Sequence, residues 1–313
     1  MLKKIKLAVI FGGPSGEHAV SLKSATEVMA NLDPQKYTVL PIKISRKGQW
    51  DRKLLQNKID LALIIGHGTF MEDGRLQAVL ESYNIPYLFS GVLASALAMN
   101  KAKTKIIATN AGLKVARGIV LKKTDVLYPP TIIKYLQFPI VIKPNELGSS
   151  VGTNIVKNEK DLKTSLKEAF LWGDEVLLEE FISGRELTVA VMGRKNLTAL
   201  PVVEIKPRVS QWFDYEAKYA EGGSEEICPA QIPTTLTKKA QAHAIKIFEA
   251  IGCRDLARAD FIWSQKNKHL YFLEINTIPG MTKTSITPRA ALAAGFTFEN
   301  FLDTLIATAL AQN

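Results

Sequence analysis

The order of apolar and polar positions divides the chain into alternating strand-like and helix-like stretches. Residues 5–11 form a short apolar run that stops at Gly12-Gly13, as a buried strand ending in a turn does. Leu22, Ala25, Val28, Met29 and Leu32 then fall at helical spacing and predict a helix over 20–32. A second buried strand is expected at 60–65, ending at Gly66-His67-Gly68. Residues 139–142 predict a strand that delivers Lys143-Pro144 into a glycine and serine loop. Asn158 stands where a helix cap is needed, ahead of Leu162, Leu166, Ala169 and Phe170 on one face. Strands are expected at 176–181, 186–192 and 201–205, and a long irregular loop over 208–228. Thr237 is expected to cap a helix that buries Ala244, Ile245, Phe248 and Ile251 and stops at Gly252. Two further strands and an amphipathic helix carrying Phe298, Phe301, Leu302, Leu305 and Ile306 close the chain.

This alternation predicts the α/β class, with a small α/β domain over 1–95 and two further units over 96–182 and 183–313. At 313 residues, 47% of them hydrophobic, the chain can bury a sizeable core. Forty basic against thirty acidic residues give a net charge of +10, which suits anionic partners without choosing among them. Cys228 and Cys253 are the only cysteines, so no disulfide framework is expected and a reducing compartment is favoured. The apolar run after the basic start is too short for a secretory segment, and the uncharged stretch 82–100 contains Pro86 and Gly91. A soluble, cytoplasmic protein with no membrane partner is expected. No long basic run or binding motif supports a nucleic-acid partner.

Three segments carry candidate chemistry. Arg258-Ala-Asp260 and Glu274-Ile-Asn276 each put two polar residues on one strand face. A hairpin register symmetric about Asn267 would set Asp260 opposite Glu274 and Arg258 opposite Asn276. Such oxygen donors suit Mg²⁺, which often shares its shell with phosphates. A solvated face with Arg258 bridging the carboxylates explains the same spacing equally well. Lys143-Pro144 with Gly148-Ser149-Ser150-Val151-Gly152 offers a lysine and close backbone approach to a phosphate, although a plain hairpin loop has the same composition. Neither a Walker loop nor a G-x-G-x-x-G occurs. Gly12 to His18 ends the first strand, where parallel sheets bind ligands, and Glu17 there either meets a ligand ammonium or favours the helix start. The histidines have no metal-ligand spacing; His243 is expected at the surface and His269 in a turn.

Taken in order, these segments resemble the D-alanine–D-alanine ligases of the ATP-grasp superfamily over almost the whole chain. The matching motifs are Phe11-Gly-Gly-Pro-Ser-Gly-Glu17-His-Ala-Val-Ser21, Glu72-Asp-Gly-Arg-Leu-Gln77, Lys143-Pro with Gly148-Ser-Ser-Val-Gly152, Asp214-Tyr-Glu-Ala-Lys218-Tyr219, Arg258-Ala-Asp260-Phe, Glu274-Ile-Asn-Thr-Ile-Pro-Gly-Met281 and Ser285. The resemblance implies that the N-terminal α/β domain is parallel, that the two further units are α+β and clasp ATP, and that two D-alanines are joined through an acylphosphate, for peptidoglycan precursors. It implies that Lys101, Lys143 and Lys218 contact ATP phosphates, Glu179, Glu180, Phe181 and Ile182 the adenine, and Glu186 the ribose. Asp260, Glu274 and Asn276 would ligate Mg²⁺, usually two ions, with Mn²⁺ as a substitute. Glu17 would hold the ammonium of the first D-alanine. Arg258 and the Gly280 N–H would stabilise an oxyanion, and Ser285 would bind the second carboxylate. Ser149 and Tyr219 resemble the pair linking Glu17 to a mobile lid over 208–228, and His67 a histidine near the first substrate. Tyr219 favours D-alanine as acceptor, since relatives making D-alanyl-D-lactate typically carry histidine there. A homodimer is expected.

The sequence departs from the family at Met71, at Asn100 and at Asn145-Glu146-Leu147. Those departures bear on substrate preference more than on reaction class. A D-alanine–D-lactate ligase is the nearest alternative, and a nucleotide-binding pseudoenzyme or nucleic-acid-binding protein the more distant ones.

Overall fold

The computed structural model describes residues 3–125, 129–148, 151–208 and 223–311. Its first unit is a parallel sheet in which β1 (Ile5–Gly12) lies between β2 (Tyr37–Ile44) and β3 (Leu61–Ile65), with α1 (His18–Ala30) after β1. All five positions of β3 are buried, as a parallel strand covered on both faces requires. The chain continues through α2 (Arg75–Ser82), α3 (Val92–Met99) and α4 (Lys101–Asn110) to the short β4 (Lys114–Val115).

A four-stranded antiparallel sheet follows, built from β5 (Gly118–Lys122), β6 (Ile140–Pro144), β7 (Asn154–Val156) and β8 (Glu175–Glu180) in the order β5-β8-β6-β7. Helices α5 (Pro129–Tyr135) and α6 (Glu159–Ala169) accompany it, and Ile140, Ile142, Val176 and Leu178 meet Leu162 and Leu166 in one core. Asn158 caps α6, its Oδ1 accepting from Lys160 N and Asp161 N at 3.0 and 3.3 Å. Val141, Lys143, Leu177 and Glu179 occupy the opposite face by strand alternation.

The third sheet contains β9 (Arg185–Gly193), β10 (Thr198–Ala199), β11 (Val203–Pro207), β12 (Ser224–Ile227), β13 (Asp255–Trp263) and β14 (Leu270–Asn276), with β4 along its far edge. Helix α7 (Thr234–Ile251) packs on one face, and α8 (Ile286–Ala293) and α9 (Phe298–Leu310) end the chain. Alternate residues of β9 enter two different cores. Leu187, Val189 and Val191 join α4 and α7, while Ala190 and Met192 join the core of the N-terminal sheet and α9. The third sheet is thus buried on both sides and is continuous in packing with the first unit.

The structure corrects several expectations. Residues 224–227 of the expected loop form β12, paired antiparallel with β11, and residues 209–222 lie outside the described residues. Helix α7 begins at Thr234, a turn before Thr237, and its cap position is Pro233 with no side-chain capping bond. Gly252 ends it in the left-handed region, as expected. His243 is half-buried rather than superficial, its ring 6.5 Å from that of Phe261. Both cysteines are free.

Asp255 couples the first unit to the third sheet. It is fully buried, accepts from Phe89 N at 2.9 Å, and pairs with Arg194 Nε at 2.5 Å. Asp255→Ala strips the partner from a largely buried guanidinium. It is expected to cost about 3–5 kcal/mol of stability in urea unfolding.

Candidate functional site

The site begins where β1 ends. Gly12 has φ +94°, and a Cβ there would stand 2.2 Å from Ile44 O, so only glycine lets the chain turn beside β2. The turn leads to Glu17 at the start of α1, whose side chain does not cap the helix. Its carboxylate instead reaches toward two glycine loops. Cβ atoms at Gly68 and Gly148 would lie 3.6 and 3.7 Å from Glu17 Oε2. Met71, the departure from the family pattern, is fully buried against Gly13 and Gly66, where its side chain fills the space left by their missing Cβ atoms.

The opposite wall comes from β13 and β14. Asp260 pairs with Glu274 and Arg258 with Asn276, as the symmetric hairpin predicts, but the register shifts between Asp260 and Phe261, which leaves Leu273 as an extra residue. The bulge turns the side chains. Leu270 and Phe272 enter the α7 core, and so does Ile275, three residues later. Glu274 and Asn276 therefore emerge on the face that also bears Arg258 and Asp260. Arg258 donates to both oxygens of Asp260 at 2.9 and 2.8 Å, and Thr188 donates to Asp260 Oδ1 at 2.5 Å. Lys101, first residue of α4, donates to Leu147 O at 2.5 Å and stands 3.6 Å from Glu274.

Between these walls lies a cleft of about 580 Å³, ample for small-molecule substrates. Glu17, His67, Lys101, Arg258, Glu274, Asn276, Gly280 and Ser285 all line it. His67 is buried, and its Nε2 has no partner among the described residues. A Cβ at Gly280 would be 2.9 Å from Ser285 Oγ, so glycine keeps that corner open. Asp260 stands behind Arg258 and is not part of the cleft wall. Two carboxylates and an amide do not form a metal cage; among the described residues no three His, Cys, Asp or Glu side chains gather as one. Hard oxygen donors from Asp260, Glu274 and Asn276 do fit a Mg²⁺ that completes its shell with phosphate oxygens.

Lys143 and Glu179 lie outside this cleft lining, in a buried ion cluster. Glu179 Oε2 is 2.6 Å from Lys143 Nζ, and its Oε1 is 2.6 Å from Lys105 Nζ. Burial opposes the charge on Glu179, but the two ammonium groups hold its carboxyl below the usual range. Glu180 turns the other way, to Arg117, with Arg117 Nε donating at 3.2 Å. Phe181 N donates to Pro139 O at 3.1 Å. Ile182 and Glu186 are half-buried where β8 passes into β9. Ser149, Lys218 and Tyr219 lie outside the described residues.

Sequence reasoning missed four residues. Lys105 sits in a lysine-rich helix start that reads as solvated, and Lys23 and Glu226 line the cleft without a motif of their own. Glu72, noted only within a motif, is a buried carboxyl whose Oε2 accepts from Gly68 N at 2.8 Å. Burial, then the nearby Glu17 charge, pushes its pKa up to about 8. The folded chain thus keeps a proton that the unfolded chain releases near the ordinary value of 4.5. The resulting stabilisation is complete below that value and is lost as pH rises through about 8. Glu72→Gln, which mimics the protonated form, is expected to raise Tm over the parent at alkaline pH and by less at pH 5. A pH series of thermal melts checks this.

Comparison with known proteins agrees with this geometry. The D-ala D-ala ligase C-terminus family matches residues 107–307, and the D-ala D-ala ligase N-terminus family matches residues 6–58. D-alanine–D-alanine ligase of Syntrophobacter fumaroxidans is 43% identical over 98% of both chains, and that of Desulfotalea psychrophila 43% identical over 99% of this chain and 97% of its own. Among solved structures, D-alanine–D-alanine ligase from Bacillus anthracis superposes with TM-score 0.87 at 35% identity, each chain 98% covered. VanG D-Ala:D-Ser ligase from Enterococcus faecalis gives 0.89 at 32%, covering 98% of this chain and all (100%) of that one. With both family halves matched and relatives aligned end to end, the chain belongs to the D-alanine–D-alanine ligase family, with its ATP-grasp fold.

Proposed function

We propose that this chain uses ATP to join two D-alanines into D-alanyl-D-alanine through an acylphosphate, as a step toward peptidoglycan precursors. Its full-length relatives of that name support the reaction. The observation that carries the residue-level reading is the single cleft shared by Glu17, Arg258, Glu274 and Ser285.

A carboxylate is a poor electrophile, and phosphorylation gives it a leaving group. Positioning and charge neutralisation accomplish most of such a transfer. Lys101, Lys143 and Lys218 hold the ATP phosphates in this reading, Glu179 to Ile182 the adenine, and Glu186 the ribose. Asp260, Glu274 and Asn276 would hold Mg²⁺, in one or two ions, with Mn²⁺ as a substitute; the metal would offset phosphate charge. Glu17 accepts hydrogen bonds from the ammonium of the first D-alanine, and the unpartnered Nε2 of His67 faces the same substrate. The carboxylate of that D-alanine takes the γ-phosphoryl group. The amine of the second D-alanine, its carboxylate bound at Ser285, then attacks the acyl carbon and phosphate departs. Arg258 and the Gly280 N–H stabilise the oxyanion formed on the way. In this reading Ser149 and Tyr219 would tie Glu17 to the segment that joins β11 to β12, which would exclude water from the acylphosphate. We extend the reading to a cytoplasmic homodimer. No helix among the described residues is long and apolar enough to cross a membrane.

The similarity to a D-Ala:D-Ser ligase makes D-serine the acceptor to set against D-alanine. Phosphate release from ATP and Mg²⁺ is to be followed with D-alanine alone, L-alanine, D-alanine with D-serine, and D-alanine with D-lactate, recording product masses. Release with D-alanine alone and the dipeptide mass is expected; a mixed product dominating over D-alanyl-D-alanine would reassign the acceptor. Arg258→Lys keeps the charge but loses the fork that engages Asp260. It is expected to lower kcat by about 10²–10³-fold, the usual cost of an oxyanion donor. The KM for ATP should stay within a few-fold, and an unchanged kcat would remove Arg258 from the reacting centre.

A further inference from the structure

Two lysines share one buried carboxylate in a place where the proposed reaction calls on only one of them. Glu179 and Lys143 come from adjacent strands, β8 and β6, and share the sheet face turned away from α6. Lys105 comes from α4, on the other side of the gap, and meets the second oxygen of Glu179 at the same 2.6 Å. The side chains of Glu179, Lys105 and Lys143 are 3%, 7% and 12% exposed, so water offers these charges little help. The two cations are mounted differently. Lys105 lies mid-helix, with its turn fixed from below: Thr104 Oγ1 donates to Leu97 O at 2.5 Å and Ala108 is buried in the α7 core. Lys143 lies at the end of β6, where the chain leaves the sheet for the glycine loop.

A lysine already 2.6 Å from a carboxylate can serve a phosphate only by sharing or leaving that partner. Were Lys143 the sole partner, its departure would leave a buried carboxylate uncompensated, which is strongly unfavourable. We propose that Lys105 is a positioning residue: the fixed counter-ion of Glu179, which lets Lys143 turn to the anionic phosphates of a nucleotide without leaving a buried charge unpaired. Burial lowers the pKa of Lys105, with Lys143 adding to the shift, and Glu179 opposes it; the role of counter-ion rests on the 2.6 Å approach of Lys105 to Glu179. The cluster has one cation more than its carboxylate needs, and the surplus is the one at the loop. This inference rests on the reading of Lys143 as a nucleotide contact.

The test is the equilibrium affinity for ATP–Mg²⁺ without D-alanine, measured by calorimetry on the full chain. Lys105→Met should weaken ATP binding about tenfold or more, through loss of the ion pair with Glu179. Lys105→Arg should restore most of it. The distinguishing comparison uses Glu179→Gln as background. Once the carboxylate is neutral, Lys143 needs no replacement partner, so Lys105→Met should then cost nothing further. An equal loss in both backgrounds would mean that Lys105 acts only through packing and would overturn the proposal. Unchanged affinity in Lys105→Met would overturn it as well. Should Lys105→Met not fold, Lys105→Gln is put through the same cycle. Lys143→Ala separates the two levels: if it leaves ATP affinity intact, the underlying reading of Lys143 fails; if it weakens ATP while Lys105→Met does not, only the role of Lys105 fails.

Discussion

The site depends on one extra residue in β14. A strand alternates faces strictly, so a strand that sends Leu270 and Phe272 into the core would send Glu274 there too. Leu273 interrupts the count. The register shift beside Asp260 lets Glu274 and Asn276 share a face with Arg258 and Asp260 while Ile275 returns to the core. Glu274, Asn276 and Arg258 thereby converge on the cleft, with Asp260 held behind Arg258 on the same sheet face. The same sheet is buried on its other face against α4 and α7, which holds the bulged strands in position.

Convergence of like charges has to be offset, and the structure does so with cations drawn from separate elements. Arg258 answers Asp260 within one strand, and Lys101 approaches Glu274 from a helix start. Lys105 and Lys143 answer Glu179 from a helix and a strand. Buried ion pairs of this kind add little net stability, because desolvation consumes most of their attraction. They do fix which element lies against which. Helix α4 meets the third sheet through Lys101 and the four-stranded sheet through Lys105. Its first N–H groups are also bound by Asn145, Lys101 N to the backbone oxygen at 3.0 Å and Ala102 N to Oδ1 at 2.9 Å. Helix α4 therefore ties the two ATP-grasp halves to each other.

Much of this was legible in the sequence because the relevant physics is local. Glycine turns at Gly12 and Gly252, the cap at Asn158 and the apolar strands each announce themselves within a few residues. Pairing of Asp260 with Glu274 followed from counting across a hairpin. The bulge was not legible, since Leu273 is an ordinary strand residue and its offset is decided by packing against α7. Lys105 was hidden for a similar reason. In Lys101-Ala-Lys103-Thr-Lys105 nothing local separates the exposed Lys103 from its two buried neighbours; partners distant in sequence do, Glu274 and Leu147 for Lys101 and Glu179 for Lys105. Residues 224–227 read as loop because the strand alternates without an apolar face, all four positions being half-buried.

The departures from the family pattern can now be weighed by what they touch. Met71 fills a space bounded by glycines, so it supports the turn beside His67 instead of distorting it. Asn100 donates from Nδ2 to Glu146 at 2.6 Å while its Oδ1 accepts from Lys103 N at 3.0 Å. An aspartate at 100 could keep the second contact but would face Glu146 with a like charge, whereas the amide satisfies both. The unusual Asn145-Glu146-Leu147 filling is used at every residue: Asn145 binds the α4 start, Glu146 takes the Asn100 amide, and Leu147 O receives Lys101. Asn100 and Asn145-Glu146-Leu147, which look independent along the chain, thus meet at one junction, between the start of α4 and the glycine loop. Their mutual hydrogen bonds set the position of Lys101 and the start of α4, while Glu17, Arg258 and Glu274 keep their places in the cleft.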